Sequence, residues 1–127
     1  MPEQWVVNAS PPIILGKIGR LDLLTQLPQE IVVPDAVAAE IIAGPEGDAA
    51  RLAIQTNMFK TVRPPEIPVE LASWDLGLGE TSVLAYAIAH PGWVAILDDG
   101  TARKCAKTFE IPMKGTLAVL ILAKNTG

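Results

Sequence analysis

Polar side chains that carry oxygen donors follow two apolar stretches of the sequence. Asp98 comes directly after residues 94–97, and Asn8 comes directly after residues 5–7. Short apolar stretches of this kind are typical of buried strands in a parallel sheet, and ligands bind beyond the carboxyl ends of such strands. Asp98 and Asn8 are therefore the first candidates for a functional site.

Two glutamates lie beside apolar stripes of predicted helices. Glu80 falls in a first turn, three residues before Val83, and Glu40 comes three residues after Val37. Carboxylates beside apolar surface lose hydration and repel one another unless a cation offsets their charge. A site made only of oxygen ligands suits Mg²⁺ or Mn²⁺. The acids expected to form such a site are Glu40, Glu80, Asp98 and Asp99.

Each of these acids also has an ordinary structural explanation. A glutamate in a first turn, as at Glu80, is stabilised by the helix dipole, and Asp99 before Gly100 is a good N-cap. For any single acid the structural role is the better interpretation, whereas the joint pattern favours a metal site. Without these four acids the chain has ten acidic and ten basic residues, so the net charge of −4 equals that of the site alone.

The composition describes one globular domain over residues 1–127. Half of the residues are hydrophobic, and the acidic surplus excludes proteins that hold nucleic acid through bulk positive charge. The apolar run 116–123 is far shorter than the ~20 residues that span a bilayer. With a single cysteine, Cys105, and no secretion signal at the start, the protein is expected in the cytoplasm.

Short strands alternate with helices along the chain. Strands are predicted at residues 5–8, 30–33, 59–62, 93–97 and 111–113. Helices are predicted at about residues 13–18, 22–27, 35–42, 46–56, 79–90, 99–109 and 115–124, with a loop over 64–78. This alternation indicates βαβ units and predicts a three-layer α/β/α domain with a parallel sheet covered on both faces.

Five further residues are interpreted individually. Arg103 and Lys104 follow Asp98 closely and are expected either to contact phosphate groups or to lie on an ordinary solvated helix surface. His90, before a proline at a helix end, is expected to cap that helix or to be solvated, and Cys105 to pack in the core. Trp74, in the predicted loop, is expected to be exposed.

Several short motifs, in order along the chain, resemble the PIN-like domain superfamily, in particular a poorly characterised prokaryotic branch of it. They are Val6-Val7-Asn8-Ala9-Ser10-Pro11, Leu15-Gly16-Lys17-Ile18-Gly19-Arg20-Leu21, Val33-Pro34 with Val37 and Glu40, Leu78-Gly79-Glu80, Leu97-Asp98-Asp99 with Ala102-Arg103, and Gly115-Thr116-Leu117 with Val119-Leu120. The resemblance implies an α/β/α nuclease with a central parallel sheet ordered 3-2-1-4-5. Many such domains are RNA-cleaving toxins of toxin–antitoxin modules.

The resemblance also implies roles for individual residues. Glu40, Glu80 and Asp98 match acids that bind one or two Mg²⁺ or Mn²⁺ ions, which activate water for attack on a phosphodiester. Asp99 is a weaker addition to that set. Ser10 matches a small polar residue after the first strand, and Thr116 matches a Gly-Thr pair near the site.

One departure from the family pattern concerns Asn8, because most PIN domains have an aspartate there. An asparagine offers a carbonyl oxygen but no negative charge. The leading hypothesis is a metal-dependent ribonuclease or toxin component in which Arg103 and Lys104 contact RNA phosphates. The resemblance implies an antitoxin as a protein partner and a homodimer as the usual assembly. The alternative is a catalytically weak or inactive PIN-like module that binds RNA or a protein partner, and a metabolic α/β enzyme comes third.

Overall fold

A five-stranded sheet forms the centre of the computed structural model, which describes residues 2–126. Its strands are β1 (Gln4–Val7), β2 (Glu30–Pro34), β3 (Lys60–Val62), β4 (Val94–Ile96) and β5 (Met113–Lys114). Neighbouring strands are all parallel, and their order is β3-β2-β1-β4-β5. The predicted α/β class and the strand order implied by the resemblance are both confirmed.

Helices flank the sheet and connect its parallel strands, which two-residue hairpins cannot join. They are α1 (Ser10–Lys17), α2 (Leu23–Gln26), α3 (Asp35–Ile42), α4 (Ala49–Gln55), α5 (Val69–Ala72), α6 (Leu78–Ala89), α7 (Gly100–Thr108) and α8 (Thr116–Thr126). Helix α6 packs on the central strands β2, β1 and β4, whereas α7 and α8 pack on the edge strand β5. No helix of the described residues is long and apolar enough to cross a membrane.

Strands β1 and β4 are buried throughout their apolar stretches. Trp5, Val6 and Val7 of β1 are fully buried, and so are Ala95 and Ile96 of β4. Because both faces of these strands are covered, their sequence is a continuous apolar run rather than an alternation. The buried indole of Trp5 donates its N–H to Glu3 at 3.0 Å, which satisfies its polar atom.

Local structure differs from the sequence prediction in several places, and α1 begins at Ser10 rather than at residue 13. The predicted loop 64–78 contains the single helical turn α5, whose buried Leu71 anchors it to the core. Helix α4 begins at Ala49 rather than at residue 46, because Gly47 adopts a φ of +84° that a helix cannot accommodate. Strand β5 begins later than predicted, because the Ile111 N–H bonds to the Ala106 carbonyl and closes α7.

The expected exposure of Trp74 is also wrong. This tryptophan is only partly accessible, and it packs against the hydrophobic core. It follows the short helix α5, where its N–H donates to the carbonyl of the buried Leu71 at 3.1 Å. A large aromatic side chain gains more from this packing than from solvation.

Candidate functional site

Asn8 and Asp98 lie at the same edge of the sheet. The Asn8 N–H donates to the Ile96 carbonyl at 2.9 Å, which continues the pairing of β1 with β4 by one residue. From β1 the chain adds strands β2 and β3 on one side of β1, and it then returns to add β4 and β5 on the other side of β1. Strand order therefore reverses at this point, which is where open α/β sheets form their ligand crevice.

Asn8 has a buried polar atom without a partner. The residue is 5% exposed, and within residues 2–126 its Oδ1 accepts no hydrogen bond. Leaving such an acceptor unsatisfied costs about 1–3 kcal/mol. Buried polar groups without a partner are uncommon, and an ion or a water molecule that completes them is a frequent reason for their presence.

Glu40 reaches the same place from helix α3. A Cβ atom built on Gly79 would lie 3.1 Å from Asn8 Oδ1 and 3.2 Å from Glu40 Oε1. The two oxygens therefore border one small space beside the first turn of α6, and the absence of a side chain at buried Gly79 keeps this space open. Two acceptor oxygens that share a space without a donor favour a cation between or beside them.

Asp98 is held firmly by the start of helix α8. The Thr116 N–H donates to Asp98 Oδ1 at 2.7 Å, and the Thr116 hydroxyl donates to Oδ2 at 2.6 Å. A carboxylate at a helix N-terminus is also stabilised by the helix dipole. Because each carboxylate oxygen has two lone pairs, Asp98 keeps the capacity to accept one more ligand on either oxygen.

Arg103 lies beside Asp98. A Cβ atom built on Gly115 would lie 2.6 Å from Arg103 Nη1 and 2.9 Å from Asp98 Oδ1. The half-buried guanidinium is not part of either of the ion pairs found within residues 2–126, which join Arg20 to Asp22 and Lys114 to Glu3. Arg103 is therefore available to an anion that enters the crevice.

Two of the predicted metal ligands lie close to the starts of helices. Asp99 is the N-cap of α7, and its Oδ2 accepts the Ala102 N–H at 2.9 Å, as the structural interpretation of this residue expects. The Glu80 carboxylate turns back towards the start of its own helix, where Oε2 would lie 2.8 Å from a Cβ on Gly77. The position of Glu80 in a first turn still favours its negative charge.

The predicted acids do not form one tight cluster. Among residues 2–126, no three His, Cys, Asp or Glu side chains come close enough together to hold a metal ion. The structure instead pairs Glu40 with Asn8 and places Asp98 at the neighbouring strand end. Ser10 and Lys104, both exposed, make no side-chain hydrogen bond within the described chain.

Two other individual predictions are confirmed. His90 stacks on Tyr86 with ring centroids 4.0 Å apart, and its Nδ1 lies 2.9 Å from the Tyr86 carbonyl at the end of α6. Cys105 is fully buried, and burial raises the pKa of its thiol. A buried thiol with a raised pKa is a core residue and not a nucleophile.

Two glycines shape the site although neither is among the site residues predicted from the sequence. Gly79 and Gly115 have no chemistry of their own, but a Cβ at either position would lie within 3.2 Å of a candidate ligand oxygen. The signal available in the sequence was their position directly before Glu80 and Thr116 within the family motifs.

Comparison with known proteins identifies the family. Residues 4–127 match a family described as a PIN domain. Among solved structures, the chain is similar to PAE2754 from Pyrobaculum aerophilum, with a TM-score of 0.66 and 16% identity over 98% of this chain and 99% of that chain. This likeness shows the fold. No curated protein matches the sequence. Because the family match spans almost the whole chain, the protein belongs to the PIN domain family, a family of nuclease-like modules.

Proposed function

We propose that the protein is a metal-dependent ribonuclease that hydrolyses RNA phosphodiester bonds, the toxin of a toxin–antitoxin pair. The observation that carries the ribonuclease activity is the unpartnered, buried Asn8 Oδ1 beside Glu40 Oε1. Oxygen donors of this kind are the preferred ligands of Mg²⁺ and Mn²⁺. The residues that would hold the ion are Asn8, Glu40 and Asp98, with Glu80 and Asp99 at the margin of the site.

The residues present fit a divalent cation in charge and in donor type. Glu40 and Asp98 together supply two negative charges, and Asn8 supplies a neutral oxygen that nothing else in the described chain satisfies. When bound, such a cation activates water and stabilises the charge that develops on a phosphate. Asn8 contributes no charge, so this site attracts the ion less strongly than one with a third carboxylate.

The chain itself supplies groups that position the site and bind the substrate. Thr116 fixes both oxygens of Asp98, so that this carboxylate keeps one orientation. Arg103, beside it, binds a phosphate oxygen of the RNA with a planar fork of donors. Ser10, at the start of α1, and Lys104, on α7, are exposed and contact the sugar-phosphate backbone.

An RNA cleavage assay tests this function. The purified chain is expected to cleave a mixed RNA pool with Mn²⁺ and to lose this activity in EDTA, because the acids alone do not activate water. Glu40→Gln should lower the rate more than about tenfold, since it removes a ligand charge. Glu46→Gln, which changes an exposed acid after α3, is the matched control. Cleavage that persists in EDTA, or that is equal in both variants, contradicts the proposal.

A second candidate function is a PIN module that binds RNA or a protein without cleaving it. It is favoured by the neutral Asn8 and by the absence of a three-acid cluster among residues 2–126. In this case RNA binding is expected with Mn²⁺ and with EDTA alike, without cleavage. The same RNA pool distinguishes the two functions when binding and cleavage are both measured.

Gly79 offers a test of the geometry of the site. In Gly79→Ala the new Cβ would lie 3.1–3.2 Å from Asn8 Oδ1 and Glu40 Oε1, so at least one oxygen must move by a few tenths of an ångström. We expect Mn²⁺ affinity to fall about tenfold, as for other changes that displace metal ligands. Isothermal titration calorimetry with Mn²⁺ measures this effect.

Gly100→Ala is the control for that measurement, because nothing lies within 4 Å of its new Cβ. Both variants gain helix propensity, so this contribution to stability is similar in the two. Equal Mn²⁺ affinities in Gly79→Ala and Gly100→Ala contradict the placement of the ion beside Gly79.

A further inference from the structure

The candidate ion site carries little negative charge once its neighbours are counted. Glu40 and Asp98 supply one negative charge each, whereas Asn8 supplies none. Arg103 brings a positive charge to the same edge, because its Nη1 and Asp98 Oδ1 both border the small space beside Gly115. These four side chains carry a net charge of −1, so a divalent cation added to them leaves an uncompensated charge of +1.

The two acids at the margin of the site do not replace the charge that Asn8 lacks. The Asp99 carboxylate accepts the Ala102 N–H at 2.9 Å as the N-cap of α7. The Glu80 carboxylate lies against the start of α6, where its Oε2 would be 2.8 Å from a Cβ on Gly77. A helix N-terminus carries about half of a positive charge, which offsets part of the charge of each acid.

The two charged ligands are themselves weakened as partners of a bare ion. Both oxygens of Asp98 already accept hydrogen bonds from Thr116, at 2.7 Å and 2.6 Å, and these donors stabilise its negative charge in the absence of a cation. Glu40 is an exposed residue of α3, so water screens its attraction for an ion. The edge therefore holds a cation loosely unless a further anion arrives.

Arg103 indicates what kind of anion completes the site. Its half-buried guanidinium takes no part in the two ion pairs found within residues 2–126. A guanidinium is a planar fork of donors that matches the oxygens of a phosphate. A phosphodiester has two non-bridging oxygens that share one negative charge, so one oxygen can bind Arg103 while the other binds the cation.

We propose that the divalent cation and an RNA phosphodiester bind at this edge interdependently, each raising the affinity for the other at least about tenfold. The phosphodiester supplies the negative charge that Asn8 lacks and brings the net charge of the site to zero. The inference rests on the proposed metal site and adds a condition to it. The ion is held tightly only when RNA is present.

Two uridine dinucleotides that resist cleavage test this interdependence. In the charged one, a methylene group replaces the O3′ of the linkage, which keeps both non-bridging oxygens and the single negative charge. In the neutral one, a methyl group replaces a charged oxygen. The Mn²⁺ affinity of the full chain, measured from the electron paramagnetic resonance signal of free Mn²⁺, should rise at least about tenfold with the charged dinucleotide and stay unchanged with the neutral one.

The reciprocal measurement gives an internal check. Isothermal titration calorimetry with the charged dinucleotide should show the same factor between Mn²⁺ and EDTA, because a coupling between two ligands acts equally in both directions. Association of Mn²⁺ with the dinucleotide alone is measured without protein and subtracted. Asn8→Asp should tighten Mn²⁺ binding without a dinucleotide and lower the coupling factor, since the ion is then compensated by the protein.

Arg103→Gln is expected to move the two affinities in opposite directions. It removes a positive charge near the ion, so Mn²⁺ alone should bind more tightly, whereas the charged dinucleotide should bind at least about tenfold more weakly. Lys107→Gln is the matched control, because it removes the same charge at an exposed position of α7. It should leave both affinities unchanged, and melting temperatures show that each variant is folded.

The outcomes separate this inference from the metal site on which it rests. Mn²⁺ binding that is equally tight with and without the charged dinucleotide overturns the interdependence but leaves the metal site in place. An equal rise with both dinucleotides also overturns it, because the charge of the linkage then plays no part. So does an Arg103→Gln variant that loses affinity for both ligands. No Mn²⁺ binding under any condition contradicts the proposed metal-dependent function itself.

Discussion

Asn8→Asp is expected to tighten Mn²⁺ binding at least about tenfold and to raise the rate of RNA cleavage. The new carboxylate would stand where Asn8 Oδ1 now lacks a partner, beside Glu40 Oε1. Without a cation, two nearby carboxylates repel, and position 8 is only 5% exposed, so the variant should be less stable than the parent in EDTA by roughly 3 kcal/mol. With saturating Mn²⁺ the order should reverse.

Melting temperatures in EDTA and in Mn²⁺, together with cleavage of a mixed RNA pool, measure this prediction. Asn125→Asp is the control, because it adds the same charge at an exposed position. A variant that is less stable in both conditions and no more active means that the edge residues form a binding module rather than a catalytic site. The two proposed functions thus predict opposite signs for one substitution.

Asp98→Ala is expected to lower the free energy of unfolding by about 3 kcal/mol in EDTA, where no metal contributes. The substitution leaves the buried N–H and hydroxyl of Thr116 without their acceptor and removes a charge from the start of α8. Thr116→Val keeps the backbone hydrogen bond and loses only the hydroxyl, so its cost should be about 1 kcal/mol. Urea denaturation of each variant gives these values.

Asp99→Ala is the matched control for Asp98→Ala, since it removes a neighbouring acid. It loses the single N-cap bond to Ala102 and should cost about 1 kcal/mol. Equal costs for Asp98→Ala and Asp99→Ala contradict the anchoring role of Asp98. Cleavage assays on the same proteins then separate this role from metal binding, because the proposal expects Asp98→Ala to be inactive and Asp99→Ala, at the margin of the site, to lose far less activity.

Strand positions and the placement of Asn8 and Asp98 could be predicted from the sequence for a physical reason. Buried parallel strands are continuous apolar runs, and the polar residue that ends such a run lies at the carboxyl edge. The reversal of strand order beside β1 came from the family resemblance and not from periodicity. It decides that the ends of β1 and β4 are neighbours.

The side-chain directions in the site could not be predicted in the same way. The helical pattern places Glu80 and Asp99 in or beside first turns, but an acid there can bind its own helix, as Asp99 does at Ala102. The space beside Gly79 exists only once α3 has packed against α6. Likewise, α5 is a single turn, too short for a helical period to be recognised.

The central claim is that Asn8, Glu40 and Asp98 hold one divalent cation at the carboxyl edge of β1 and β4. Anomalous X-ray diffraction from a crystal grown with Mn²⁺ tests it most directly. The claim predicts an anomalous peak within about 2.5 Å of Asn8 Oδ1 and of a Glu40 carboxylate oxygen, with Asp98 as a direct or water-mediated ligand. A crystal without a peak at this edge, in which the Asn8 amide instead donates a hydrogen bond to Glu40, would contradict it.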